Sequence, residues 1–510
     1  MRVRRLAWFH TLVAAVCGAL LAAVFAPTGK AQPQPGQTLR IALGSDINTL
    51  DPHMTASVGT DLSVISHIYT SLVIRAPDLS LKPAAATSWR IVSDTVWRFS
   101  LRDGMAFANG EKLDARAVKW NIDRVLNPQT KARIRPWFDL VEQVRVVDDR
   151  TVDIVTKAPY PALADQLSMF FLLPPEWASK NNPAAGAMGS GPYRLREWIR
   201  DDRVVLEADP NYWGPKPAFQ TVIFRAIPEA SSRVAALLAG DVDIVSAGVA
   251  PSDFSRIAAN PATTVGATPS IRTAMVKFNT LKKPMDDVRV RQALNYAVDK
   301  DALTRNLLGN LTAKSNCQVL TPAYFGYNPD LKPYPYDPAK ARELLQAAGL
   351  GGGFEVEFDM PSGVYLLGDV ISQAIAGQLE RIGVRARVTE MPFSVYMNKY
   401  LREANMAPMM YLTLAWPTVD ADGLLSLFEE GNQYAYWNDA PFKSLLVAAR
   451  STHDKVRRSS LYRQATERMC QQAPVIFLFP QPATYGVRRT LDWKARPDDW
   501  MRAMDVRIKQ

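Results

Sequence analysis

The chain has few of the residues on which metal and redox chemistry depends. Its 510 residues include three cysteines and four histidines, and no two of them have the spacing of a zinc or CxxC motif. The Walker A, GxGxxG and HExxH patterns are missing as well. The sequence therefore gives no support to a metalloenzyme or a nucleotide-dependent enzyme. We predict no catalytic residue, no metal ligand and no cofactor.

Acidic residues are fewer than basic ones, but the basic residues are not clustered. The formal net charge is +10. Four basic residues and no acidic residue lie in the first 31 positions, so the remainder carries about +6 if that segment is removed. Scattered charge of this kind does not favour nucleic-acid binding. The length predicts two or more lobes rather than a single core.

Long apolar stretches are also missing, except at the N-terminus. There the basic segment Met1–Arg5 precedes an apolar run over residues 11–25, and small residues follow at Gly29 and Ala31. The run is shorter than the roughly 20 residues that span a bilayer. This pattern predicts a signal peptide over residues 1–31 and export to the periplasm, by either the Sec or the twin-arginine route. A flexible leader rich in proline and glutamine follows over residues 32–38.

Two cysteines remain in the predicted mature chain, Cys317 and Cys470. In an oxidising compartment they either form a disulfide that closes a long loop or remain two separate buried thiols. The sequence alone leaves both alternatives open.

The most informative stretch is Lys277–Lys300, KFNTLKKPMDDVRVRQALNYAVDK. Asp286 or Asp287 is placed to cap the start of a helix, because a carboxylate accepts from backbone N–H groups of the first turn. The apolar residues that follow recur at helical spacing and form one stripe: Val290, Ala293, Leu294, Ala297 and Val298. We predict an amphipathic helix here.

Strands and helices alternate along the rest of the chain. Residues 97–101 and 354–360 alternate between apolar and polar, as half-buried strands do. Residues 371–382 have the spacing of a helix, and Pro474–Phe479 is an apolar run typical of a strand buried on both faces. The pattern predicts an α/β protein.

Several segments, in this order, resemble family 5 of the extracellular solute-binding proteins. These are the peptide, glutathione and nickel receptors of bacterial ABC importers. The resemblance covers about Leu39 to Gln481. It is carried by residues 63–73 (SVISHIYTSLV), 89–127, 188–198 (MGSGPYRLREW), 236–245 (ALLAGDVDIV) and Lys277–Lys300.

The resemblance implies a two-lobed periplasmic binding protein fold of type II, in the large cluster C. It implies two α/β lobes, an extra subdomain in lobe one, and a hinge of two strands that cross near residues 270 and 482. We expect the lobe one core at 39–60, 188–270 and 483–510, the subdomain at 61–187, and lobe two at 271–482.

The function implied is that of a periplasmic substrate-binding component of an ABC importer. We expect a monomer that captures a peptide or peptide-like solute, such as glutathione or a short peptide, and delivers it to the inner-membrane permease and ATPase. The alternatives are an opine, oligosaccharide or nickel-chelate receptor with the same fold, or a ligand sensor without transport. A hydrolase on a similar scaffold is the least favoured.

Solute is expected between the lobes, at segments that match the family. Lobe one is predicted to supply Asn48, Thr49, Met54, Thr55, Gly189, Ser190 and Gly191. Lobe two is predicted to supply Asn279, Tyr365, Trp416 and Asp420.

The loop after Trp416 departs from the family pattern. In peptide receptors of the family, an aspartate three residues after the tryptophan holds the peptide's amino terminus, whereas this chain has Val419 there. Asp420 either takes over a cationic group or caps a loop. Trp416 either stacks on the solute or forms a wall of the site.

Overall fold

The computed structural model describes residues 38–246 and 248–509. The predicted signal peptide and residues 32–37 of the predicted leader lie outside these ranges. Within them, no helix combines the length and the apolar character that crossing a bilayer requires.

The described residues alternate between strands and helices. The α-helices are α1 Ser63–Ile68, α2 Ala115–Leu126, α3 Leu163–Leu167, α4 Pro175–Lys180, α5 Ala230–Ala239, α6 Phe254–Ala259, α7 Val288–Ala297, α8 Lys300–Leu308, α9 Pro338–Ala347, α10 Gly368–Glu380, α11 Phe393–Leu401, α12 Ala421–Leu425, α13 Ala440–Arg450 and α14 Lys455–Gln472. The strands are β1 Thr38–Leu43, β2 Val73–Arg75, β3 Leu81–Pro83, β4 Ala86–Ser93, β5 Val96–Leu101, β6 Val141–Asp148, β7 Thr151–Thr156, β8 Tyr193–Ile199, β9 Arg203–Ala208, β10 Thr221–Ala226, β11 Ile244–Ser246, β12 Thr263–Thr268, β13 Thr273–Phe278, β14 Phe354–Ser362, β15 Val384–Pro392, β16 Met409–Leu414, β17 Val475–Pro480, β18 Ala483–Arg488, β19 Leu491–Asp492 and β20 Arg507–Ile508.

Lobe one is built on a seven-stranded sheet in the order β12-β18-β11-β1-β10-β9-β8. The central strand β1 pairs in parallel with β10 and β11, and in that register Ile41 lies opposite both Phe224 and Ile244. All three side chains are buried in one core, on the face that also receives α1. The opposite face packs on α5 and α6 through a smaller apolar cluster.

The subdomain of lobe one holds a four-stranded antiparallel sheet in the order β4-β5-β7-β6. Asp114 starts α2 by accepting hydrogen bonds from the backbone N–H groups of Arg116 and Ala117, and the helix covers one face of this sheet. The predicted boundary at residue 61 needs correction. Helix α1 packs in the core of the seven-stranded sheet, and the core of the four-stranded sheet includes residues from Leu72 onward.

Lobe two is built on a five-stranded sheet in the order β15-β14-β16-β13-β17. β14 and β15 pair in parallel around α10, as the strand–helix–strand pattern predicts. The amphipathic helix α7 begins where Asp287 accepts from the backbone N–H of Arg289, and its apolar stripe is buried on one face of this sheet. Cys317 and Cys470 form a disulfide that attaches the segment after α8 to α14.

Two neighbouring connections join the lobes, one between β12 and β13 and one between β17 and β18. The backbone N–H of Gln481 donates to the carbonyl of Arg272 at 2.8 Å, so the two connections run side by side. The C-terminal segment also lies against them, because the N–H of Ile271 donates to the carbonyl of Pro497 at 2.9 Å. The hinge is therefore supported by a third piece of chain.

Candidate functional site

A cavity of about 390 Å³ lies between the lobes, beside the connections. Its volume is within the range typical of small-molecule sites. The lining residues from lobe one are Ala56, Ser57, Val58, Gly59, Trp137, Met169, Asp498 and Asp499. The rest are Arg272, Val364, Tyr365, Phe393, Tyr396, Met397, Tyr400, Leu412, Thr413, Leu414, Ala415, Trp416, Pro417 and Tyr434.

Two tryptophans from opposite lobes meet at this cavity. The ring of Trp137 contacts the ring of Trp416 edge to face, with 6.0 Å between the centroids. A Cβ atom at Gly423, in α12, would lie 1.9 Å from Cδ1 of Trp416. The indole therefore rests on a helix turn that has room for it only because residue 423 is glycine. This contact sets the orientation of Trp416 in the cavity wall.

Arg272 and Asp499 place opposite charges side by side in the cavity. The carboxylate of Asp499 accepts from Nη2 and Nε of Arg272 at 2.5 and 3.0 Å. Burial alone would lower the pKa of the Arg272 guanidinium, but the adjacent Asp499 carboxylate raises it above its ordinary value. The cavity thus contains a guanidinium and a carboxylate in direct contact. The other carboxylate of its lining, Asp498, pairs with Arg496.

A tyrosine-rich wall faces this pair from lobe two. Burial raises the pKa of Tyr365, so its hydroxyl is neutral. Tyr400 donates to the carbonyl of Tyr434 at 2.9 Å and accepts from Nζ of the buried Lys277 at 3.1 Å. Burial lowers the pKa of Lys277 to about 7. The wall offers hydroxyl groups and aromatic faces to a bound molecule.

Of the predicted site residues, Tyr365 and Trp416 line the cavity. In lobe one, the predicted residues Met54 and Thr55 do not line the cavity. The next residues along the chain, Ala56–Gly59, do. Asn48 is exposed, and its side-chain amide donates to Asp61 at 3.3 Å. Thr49 is buried and accepts from the N–H of Asp51 at 3.1 Å. These two side chains shape the loop and do not face the cavity.

The predicted Gly189-Ser190-Gly191 contact also needs correction, because these residues are buried against α1. A Cβ at Gly189 would lie 1.9 Å from the carbonyl oxygen of Ile68. The N–H of Gly191 donates to the same carbonyl at 2.8 Å. Glycine at these positions therefore serves the close packing of the loop on the helix.

The polar side chains of Asn279 and Asp420 also form their hydrogen bonds within the protein, in lobe two. The side-chain amide of Asn279 donates to the carbonyl of Met406 at 3.0 Å. Asp420 caps α12 and forms a buried ion pair with Arg458, at 2.6 Å. Asp420 also borders another groove between the lobes, together with Arg75 and His453. Both of its carboxylate oxygens, however, already accept hydrogen bonds from Arg458. The structure thus favours the loop-capping role over the solute-binding role.

The sequence did not single out the charged pair or Trp137. Arg272 lies two residues past the predicted crossing near 270, which is the one local signal that could have drawn attention to it. Trp137 falls in the subdomain to which no binding role was assigned. His53 and His67 are buried and hydrogen-bonded within lobe one. Among residues 38–246 and 248–509, no three His, Cys, Asp or Glu side chains are grouped as metal ligands.

Two α/β lobes that enclose a cavity beside a double connection define a periplasmic binding protein, and comparisons with known proteins agree. The model of "Bacterial extracellular solute-binding proteins, family 5 Middle" matches residues 80–435. The chain belongs to this family of solute-binding proteins.

Two relatives and one solved structure illustrate the likeness. The dipeptide-binding protein of Escherichia coli K12 is 30% identical over 448 residues, which cover 80% of this chain and 82% of that protein. The glutathione-binding protein GsiB of Pectobacterium atrosepticum is 30% identical over 458 residues, covering 86% and 87%. The periplasmic binding protein DppA of Helicobacter pylori, solved with the peptide STSA, shares the fold with a TM-score of 0.82 at 24% identity, covering 93% and 98%.

Proposed function

We propose that this protein captures a peptide or a peptide-like solute in the cavity between its lobes and delivers it to the permease of an ABC importer. The observation that carries the solute class is the Arg272–Asp499 pair. A peptide has an ammonium group and a carboxylate, so it can bind the anion and the cation of this pair at once. The names of the dipeptide-binding and glutathione-binding relatives support the same class.

The cavity draws its lining from both lobes, and that gives the solute a way to control the protein's shape. Trp137 and Ser57 come from lobe one, whereas Tyr365 and Trp416 come from lobe two. A solute that contacts both sets binds the closed arrangement better than an open one, and it shifts the population by that difference in affinity. The closed form then docks on the permease as a monomer, and the protein performs no chemistry on the solute.

The test is calorimetric titration of the exported protein with dialanine, alanylphenylalanine and reduced glutathione. We expect saturable binding of at least one of them. The Arg272→Met variant should weaken that binding about 10- to 100-fold, the loss expected for charge-assisted hydrogen bonds. Arg385→Met is the matched control, because Arg385 is exposed and pairs with Glu355 at the far edge of lobe two; it should bind as the wild type does.

Two outcomes would overturn the proposal. If none of the three compounds binds, the solute is not peptide-like, and opines, oligosaccharides and metal chelates become the candidates. If mass spectrometry shows that the compound is cleaved during the titration, the protein is a hydrolase. Uptake of the bound compound by cells, lost on deletion of this protein and restored by its expression, separates transport from sensing.

A further inference from the structure

A second cavity, of about 470 Å³, lies within lobe one. It is enclosed by the end of α1, the hairpin of β2 and β3, the loop around Trp213 and the C-terminal segment. Among residues 38–246 and 248–509, none lines both this cavity and the one between the lobes. It is therefore a separate site, which the proposed function does not use.

The charge of this second cavity is unbalanced. Five arginines line it, Arg75, Arg102, Arg496, Arg502 and Arg507, against one acidic residue, Asp505.

Two of the arginines have carboxylate partners. Arg75 pairs with Asp165 at 2.7 Å, and Arg496 pairs with Asp498 at 2.7 Å and with Asp505 at 3.0 Å. The other three form no ion pair with any residue in the part of the chain that the structure describes. Arg502 is near the carboxylates of Asp498 and Asp505, but these two carboxylates form their ion pairs with Arg496.

Arg502 is the decisive residue, because it is only 5% exposed. One of its nitrogens, Nη1, donates to the carbonyl of Arg75 at 3.4 Å. Its Nε and Nη2 are buried, and neither has a hydrogen-bond partner among the described residues. Burial and the nearby Arg496 charge lower the pKa of Arg502 to about 10, which leaves it charged at neutral pH. A buried cation with unused donors costs free energy that a bound anion would recover.

The opposite wall adds further unused donors beside aromatic surface. Nε of Arg102 and Nε1 of Trp213 are buried without partners among the described residues. The Arg102 guanidinium lies over the Trp213 ring, 4.8 Å from its centroid. Tyr212, Phe171 and other apolar groups complete the lining. A ligand that fills this space must combine a negative charge with an apolar body.

We infer that this cavity is a second binding site, for a small organic carboxylate with an apolar body, held by Arg502 and Arg102. The carboxylate pairs with these two guanidinium groups, and the apolar body packs on the aromatic wall. Binding here neither needs nor excludes a solute between the lobes.

The experiment is calorimetric titration of the full chain with benzoate, and with benzyl alcohol as an uncharged probe of the same size. We expect saturable binding of benzoate and no comparable binding of benzyl alcohol. Arg502→Met should weaken benzoate binding about tenfold or more, which is the value of one charge-assisted contact. The matched control is Arg90→Met, because Arg90 is exposed on β4 and does not line the cavity. If Arg502→Met fails to fold, Arg102→Met should give the same loss.

The Trp416→Ala variant shows in which of the two cavities benzoate binds. Benzoate binding should be unchanged in it, because Trp416 lines the cavity between the lobes and does not line the cavity within lobe one. The inference is overturned if benzoate does not bind at millimolar concentration, if benzyl alcohol binds equally well, or if Trp416→Ala rather than Arg502→Met removes the binding. None of these results would decide whether a peptide binds between the lobes.

Discussion

Asp420 and Arg458 form a buried ion pair with two hydrogen bonds, at 2.6 and 2.7 Å between their nitrogen and oxygen atoms. The Arg458 guanidinium also donates to the hydroxyl of Tyr462 at 2.9 Å and lies over the rings of Phe325 and Tyr462. Every strong partner of this aspartate belongs to lobe two. The negative charge nearest to Trp416 in the sequence is therefore part of the lobe's own core.

Replacing Asp420 by asparagine should destabilise the protein with little change in solute binding. The substitution leaves the Arg458 charge buried without its partner, and breaking such a pair costs about 3–5 kcal/mol in the free energy of unfolding. Urea unfolding at pH 7 measures this loss. Asp330→Asn is the control, because Asp330 is exposed and lies 3.9 Å from Arg463; its effect should be close to zero. A stable Asp420→Asn protein that no longer binds solute would contradict the assignment.

Replacing Gly423 by alanine should weaken solute binding by moving Trp416. The new methyl group would lie 1.9 Å from the indole, so the ring must leave its place in the cavity wall. We expect about a tenfold loss of solute affinity, with a change in tryptophan fluorescence. Gly377→Ala is the matched control in α10, where nothing lies within 4 Å of the new methyl group. That control should keep its affinity and gain about 0.5–1 kcal/mol in stability.

Removing the disulfide should cost stability, because it closes a loop with a sequence separation of 153. In the chain-entropy model a loop of this length is worth about 4–5 kcal/mol. The Cys317→Ser/Cys470→Ser protein should show this loss in denaturant unfolding, and a reducing agent should produce it in the wild type. The reducing agent should not affect the double variant. Equal stability of oxidised and reduced wild type would show that the bond does not constrain the unfolded chain.

The two buried histidines should make the protein less stable as the pH is lowered from about 6.5 to about 4. Burial lowers the pKa of both His53 and His67 to about 4 from the ordinary value of 6.5. In this window each of these two histidines binds a proton in the unfolded chain but not in the folded one, so its contribution to stability is complete above pH 6.5 and is lost as the pH falls towards 4. Each of these pKa shifts corresponds to about 3 kcal/mol in the free energy of unfolding.

His67→Gln tests this pH dependence. His67 donates from Nδ1 to the carbonyl of Ser63 and accepts at Nε2 from the N–H of Ala503. Glutamine can donate and accept but does not titrate. Urea unfolding at several pH values should show a shallower decline for the variant, whereas His453→Gln, at a partly exposed position, should follow the wild type. An unchanged decline in His67→Gln would locate the acid sensitivity elsewhere.

Local patterns predicted most of the fold. The Asp287 cap, the apolar stripe of α7 and the buried strand β17 each follow from neighbouring residues, and the structure contains all three. The family resemblance implied a helix over residues 63–73, but α1 ends at Ile68, and Val73 begins strand β2, which pairs with β3.

The candidate site was harder to predict from the sequence. Trp416 and Tyr365 were found because they lie in segments that match the family. Arg272 and Asp499 are 227 positions apart in the chain. No spacing rule connects two such residues, and only the folded hinge brings them together. The two roles considered for Asp420 could not be separated for the same reason, since its partner Arg458 lies 38 positions away in the chain.

The Arg272–Asp499 pair also has a consequence for discrimination. The charges of Arg272 and Asp499 already neutralise each other. A solute with a single charge would pair with one of them and leave the other without its counter-ion. A solute with both charges can replace the pair without leaving either ion alone. We therefore expect solutes with a single charge, such as simple amines, to bind weakly, because they disrupt a completed ion pair, without any side chain that blocks their entry.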